Sequence, residues 1–188
     1  MDSARLLRIQ AHANRLANFR LHRALAALSN DELHAARTGF FGSLMATLNH
    51  ILGVDQYYVG ALHGDLDADQ GWHRFVPAVL LADLAERQRI SDERLIGWCQ
   101  TERDFDREVR MPRGEGRFQR DAAAFVLQHL FSHQGHHRGQ VHAMLSGTAV
   151  KPPQLDEFIM PSEPHLRATE MADLGWDETR VYGPRPYN

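Results

Sequence analysis

Five of the chain's 12 histidines fall in one short stretch: His129, His133, His136, His137 and His142. Neutral imidazoles are good ligands for zinc, nickel or iron. On a helix, residues four apart share a face, so His129, His133 and His137 form a column. A pair of histidines four apart is also how zincin proteases present two ligands, but their intervening Glu is absent. Here Gln134, Gly135 and His136 fill the interval, which argues against a zincin. At about 100° per residue, Val126, Leu130, Val141 and Met144 mark the apolar centre of this helix. His133 and His137 lie nearest that centre and are expected to point inward. His129 lies further round, His136 on the flank, and His142 points away.

An open metal site needs a third protein ligand and a free position. His50, in Leu48-Asn49-His50-Ile51-Leu52, is the best-placed candidate, although it flanks the apolar stripe of its own helix. Periodicity leaves it as either a ligand or a histidine satisfied by hydrogen bonds. For His133 and His137 the competing reading is a polar cluster at a helix interface or a histidine-rich surface. His129 reads as a fourth ligand, a donor behind a ligand, or a packed neutral ring. Asp55 falls on the apolar side of its helix, where a carboxylate needs a partner. It would orient a ligand or pair with Arg138, unless it sits at an exposed helix end. Gln140 is placed to contact a metal-bound water.

Positioning these groups requires helices. The first 28 residues read as one helix, with Ser3 as its cap and Leu6, Leu7, Ile9, Leu16, Phe19, Leu25 and Leu28 among its apolar positions. Arg5, Arg8, Arg15, Arg20 and Arg23 share another face, read as solvated or as a basic docking patch. A second helix runs from Ser43 to about His63 between Gly42 and Gly64. A third starts near Ala82 or Asp83 and ends between Thr101 and Phe105. The fourth spans Asp121 to Leu145 and is closed by Gly147. Gly64 to Pro77, with Gly71, reads as a long loop; Arg107 to Arg120 reads as a loop with a short extended pair. Six of the eight prolines (Pro152, Pro153, Pro161, Pro164, Pro184 and Pro186) follow Val150, so the tail is irregular, with a short helix near His165 to Leu174. The expected fold class is all-α: an antiparallel up-and-down four-helix bundle over residues 1–148 and a Pro-rich extension over 149–188.

Composition narrows the function. The chain has 188 residues, 43% hydrophobic and 24% charged, with a net charge of −3. It can therefore bury its own core, and its charge argues against a general nucleic-acid partner. Among 21 basic residues Lys151 alone is lysine, a genomic bias rather than a functional signal. The longest apolar run, Ala122 to Leu127, falls far short of the roughly 20 residues that cross a bilayer. No signal peptide is visible, and the expected location is cytoplasmic, away from membranes. Cys99 stands alone, which excludes an intrachain disulfide and a CxxC site; it reads as structural.

The run from His129 to Val141, together with Leu48-Asn49-His50-Ile51-Leu52 upstream, resembles the signature of the DinB family of bacterial metalloenzymes. The likeness covers about residues 1 to 148. It departs at Ser132, where Asn is frequent, and in the tail after Lys151. The resemblance implies an up-and-down four-helix bundle, often a homodimer, with one divalent ion held by His50, His133 and His137. It also implies a small-molecule substrate and, for characterised relatives, a low-molecular-weight thiol used in S-transfer or isomerisation. Three neutral imidazoles leave the ion its double charge, so a bound thiol or water loses its proton near neutral pH. The alternatives are a hydrolase with Asp55 or a loop carboxylate as base, and a non-enzymatic metal-binding bundle. A diiron carboxylate bundle would need Glu-x-x-His pairs, which are absent. A thiol transferase would call on the arginines of residues 107–120 for the polar part of the thiol.

Overall fold

The computed structural model describes residues 3–66, 75–156 and 160–183. Four long helices carry the core: α1 (Ser3–Leu25), α3 (Leu44–His63), α4 (Leu81–Thr101) and α5 (Ala123–Leu145), with a short α2 (Asn30–His34) between the first two. α2 was missed in the sequence, yet Ser29-Asn30-Asp31-Glu32 forms a capping box, in which Ser29 accepts from the Glu32 N–H and Glu32 from the Ser29 N–H. Ser43 caps α3 by accepting from the Ala46 N–H at 3.1 Å, and Gly64 ends it in the left-handed conformation at φ 76°. Residues Glu108–Gly114 (β1) and Arg117–Ala122 (β2) pair antiparallel, with Met111 opposite Gln119, around a turn in which Gly114, Glu115 and Gly116 all have positive φ. Asp121 therefore ends a strand rather than starting α5. The first N–H groups of α5 are met by backbone instead: Ala123 donates to the Arg107 carbonyl and Ala124 to that of Phe105.

α1 packs against α4 and α5, and α3 packs against the same two. The directions correct the expected up-and-down order. Asn49 bonds Ala78 just before α4, Asp55 bonds Gln88, and the Leu62 carbonyl accepts from Trp98, so α3 and α4 run the same way. α1 lies antiparallel to α4, with Asn14 and Asn18 meeting Asp92 and Leu28 sharing a cavity wall with Leu81. The 17 residues between His63 and Leu81 make this return possible. Fully extended, such a link reaches up to about 56 Å, enough to return along a helix of about 30 Å. Residues 67–74 of this link, Gly71 included, lie outside the described residues.

The extension is more ordered than its prolines suggested. It holds a 3-10 turn (Pro164–Leu166), α6 (Ala168–Asp173) and α7 (Glu178–Tyr182), while Pro184 and Pro186 lie outside the described residues. Met171, Val181 and Tyr182 bury Ile9 of α1. Three of the α1 arginines hold the C-terminal extension. Arg5 donates to the Tyr182 carbonyl at 2.7 Å, Arg20 pairs with Glu170 at 2.6 Å, and Arg23 pairs with Asp173 at 3.0 Å. This fastens the extension on the α1 side, whereas the histidines lie between α3 and α5. No described helix is long and apolar enough to cross a membrane.

Candidate metal centre

His50 from α3 meets His133 and His137 from α5. The Nε2 atoms of His50 and His133 are 2.9 Å apart, and one ring nitrogen from each of the three residues lies within 4.8 Å of the others. With bonds of about 2.05 Å, tetrahedral geometry places donors about 3.3 Å apart. The cluster is close to that spacing before any side chain moves. Neutral nitrogen donors on two facing helices suit a borderline divalent ion.

The surroundings set both protonation and orientation. Burial lowers the His50 pKa, helped by His137. His133 is lowered most, to about 3, by burial and then by the field of the neighbouring histidines. Burial also lowers His137, against a hydrogen bond to Gln140 that raises it. All three rings are therefore uncharged at neutral pH, the form that binds a cation. His137 Nδ1 lies 2.7 Å from Gln140 Oε1 and donates to it, which leaves Nε2 with its lone pair. Gln140 in turn lies 3.2 Å from His136, which holds the amide in place. Gln140 thus orients the His137 ring. Phe41 stacks on His50, with ring centroids 4.2 Å apart at 28°, and covers one side of the cluster.

The expected inward pointing of His133 and His137 needs correction. Both are half-buried at the α3–α5 rim, while Gln134 and Arg138 take the interior positions. Apolar residues alone do not mark the interior of α5, because the middle of the helix packing is a polar seam. Arg138 donates to Asn14 and Asn18, Asn14 and Asn18 donate to Asp92, and Gln88 bridges Asp92 to Asp55. Asp55 belongs to this seam. It is 1% exposed, so the exposed-end reading fails, and it accepts from Gln88 at 2.6 Å with Arg138 in its field. Burial, reinforced by Asp92, raises its pKa to about 8.

Other candidates lie further out. His129 is exposed and packs edge-on against Tyr58, its ring 6.1 Å from that of His133. His142 bonds the Pro153 carbonyl. The hairpin arginines turn elsewhere: Arg107 to Glu102, Arg110 over Phe118, Arg113 to Gln119, Arg117 to Glu115 and Arg120 to Glu108. Cys99 is buried, and its thiol is pushed up to about 12. Two residues escaped the sequence reading. Phe41 had no periodic signal because it precedes α3. Asn49, the neighbour of His50, clasps the Ala78 backbone through both amide atoms, at 2.7 and 2.9 Å, and so holds the returning link against the site.

A comparison with curated proteins finds no match. The model of the DinB family matches residues 8–168, which takes in α1 from Arg8 onward, the other three long helices, both histidine segments and the first part of the extension. The chain belongs to the DinB family.

Proposed function

We propose that this chain is a divalent-metal enzyme whose ion is held by His50, His133 and His137, and that it transfers groups to or from a low-molecular-weight thiol. The observation that carries the reading is the meeting of three uncharged imidazoles from two helices within 4.8 Å. Among the described residues no fourth His, Cys, Asp or Glu joins that group, which supports an open and therefore catalytic centre. Zinc, nickel or iron would supply the Lewis acidity that lowers the pKa of a thiol or water. Gln140 would fix His137, and Phe41 would limit water access to His50. A cavity of about 470 Å³ beside His50, walled by Met45, Ala46, Phe75, Pro77 and Val79, would receive the apolar part of the substrate. The four long helices form a four-helix bundle with one long crossover around this centre. Transfer is favoured over hydrolysis because Asp55, the base candidate, is tied into the seam with Gln88 and Asp92.

The test is metal content per chain on tag-free protein, for wild type and His133→Ala. One first-row ion per wild-type chain, absent from the variant, is expected; thiol-dependent consumption of an electrophile by the loaded wild type should follow. No ion in either protein after addition of zinc or nickel would end the metal reading. Loaded protein that turns over esters but no thiol would replace transfer with hydrolysis.

A further inference from the structure

A second cavity opens on the other side of the helices, between the C-terminal half of α1 and the start of α4. Its volume is about 670 Å³, within the usual range for small-molecule sites. Phe19, Ala26, Leu28, Leu33, Leu81 and Ala85 wall it, and no residue of the histidine cluster does. Arg15 lines this cavity although it is only 6% exposed. Among the described residues its guanidinium makes no hydrogen bond and no ion pair within 4 Å; it lies 5.7 Å from the Phe19 ring. The carboxylates whose field reaches it are committed elsewhere. Asp92 accepts from Asn14, Asn18 and Gln88, while Glu86 and Glu93 both hold Arg89. A guanidinium that opens into the cavity without a protein acceptor is free to meet a ligand there, and its planar fork matches a carboxylate.

We propose that this cavity binds a medium-chain aliphatic monocarboxylate, with its carboxylate on Arg15 and its tail along the apolar walls of α1 and α4. Arg15 is the one arginine of the lining without a carboxylate partner among the described residues, and Glu86 stands in the same lining, so the site suits at most one negative charge. The other cations of the lining are occupied, Arg23 by Asp173 and Arg89 by Glu86 and Glu93, so a phosphate dianion would bring uncompensated charge into the site. His22 also lines the cavity and is buried with a pKa lowered to about 3, so it offers a neutral hydrogen-bonding edge. The site is independent of the metal centre and stands or falls without it.

The experiment is calorimetric titration of the wild-type chain with decanoate, with decanol and butyrate as controls that lack the charge or most of the tail. One decanoate per chain is expected, with affinity at least about tenfold above either control, the size of a charge-assisted hydrogen bond. Arg15→Gln should lose at least about tenfold. Ala85→Trp, which fills the cavity and leaves the seam untouched, should do the same even if Arg15→Gln fails to fold. His133→Ala should bind decanoate as wild type does. The proposal is overturned by no saturable binding up to about 1 mM, by equal affinity for decanol, by wild-type affinity in Ala85→Trp, or by loss of binding in His133→Ala.

Discussion

Gln140 tests whether the histidine cluster is tuned as a metal centre. In the Gln140→Leu variant the acceptor 2.7 Å from His137 Nδ1 is replaced by an apolar group of similar size. Two effects then oppose each other. Without the acceptor the His137 pKa falls further, which weakens proton competition and favours metal. That pKa is already below 6.5, so at pH 7.5 the ring is more than about 90% neutral and this gain is below about 0.1 kcal/mol. Against it stands the loss of the bond that fixes the ring and its tautomer, typically worth about 10–100-fold in metal affinity, or about 1.4–2.7 kcal/mol. Orientation wins, and the variant should bind zinc about 10–100-fold more weakly in competition with a chromophoric chelator at pH 7.5. Gln140→Glu, which keeps an acceptor oxygen, should retain most of the affinity. The thermal transition of both variants should stay near that of wild type, because Gln140 lies at the rim. Unchanged zinc affinity in Gln140→Leu, beside full loss in His133→Ala, would refute the claim that Gln140 orients a ligand.

Further outcomes follow from the same structure. Burial lowers His22 to about 3 from an ordinary 6.5, so the unfolded chain takes up a proton that the folded chain refuses. Wild-type stability relative to His22→Gln should therefore drop by about 2.5 kcal/mol between pH 7 and pH 4.5 in urea titrations, and a constant difference would count against the burial argument. Asn49→Ala leaves the buried N–H and carbonyl of Ala78 without their partner, so a loss of about 2–4 kcal/mol is expected by denaturant titration. Arg20→Ala removes the bridge to Glu170 and the bonds to the Gln154 and Leu166 carbonyls; limited proteolysis should then cut the extension faster while zinc stoichiometry stays the same. Native protein should resist alkylation at Cys99 until it unfolds, since the thiol is buried and its pKa is about 12.

Much of this site can be read in the chain, because its geometry is local. His133 and His137 share a face by helical spacing alone, and the Ser43 cap and Gly64 stop place His50 on the partner helix. Helix direction is a different matter. Periodicity reports which face is buried, and a helix shows the same face whichever way it runs. Only the length of the 63–81 link hinted that α4 could return parallel to α3, and a long loop equally permits a simple hairpin. Asn49 shows what settled the outcome: a single amide that satisfies both backbone groups of Ala78 brings the link back beside His50.

The polar seam explains why rotation placed the histidines too deep. A stripe calculation assigns polar residues to solvent, yet Gln134 and Arg138, each one position after a histidine, fill the interior of α5. The Arg138 guanidinium is tolerated there because the other three helices surround it with polar groups: Asn14 and Asn18 of α1 accept from it, and Asp55 of α3 and Asp92 of α4, joined through Gln88, lie in its field. With the interior claimed by that network, the next residue round each turn can only be half-buried. This is the condition an open metal centre needs, dry enough to keep three imidazoles uncharged and exposed enough to admit a substrate. Arg138→Met therefore tests seam and rim together. Removing the guanidinium leaves the side-chain oxygens of Asn14 and Asn18 without their donor and takes the cation from the field of Asp55 and Asp92, so stability should fall by about 3–5 kcal/mol. If the rim depends on the seam, zinc affinity should also fall in variant protein that remains folded. Full zinc affinity in a destabilised Arg138→Met chain would show instead that α3 and α5 hold the three histidines on their own.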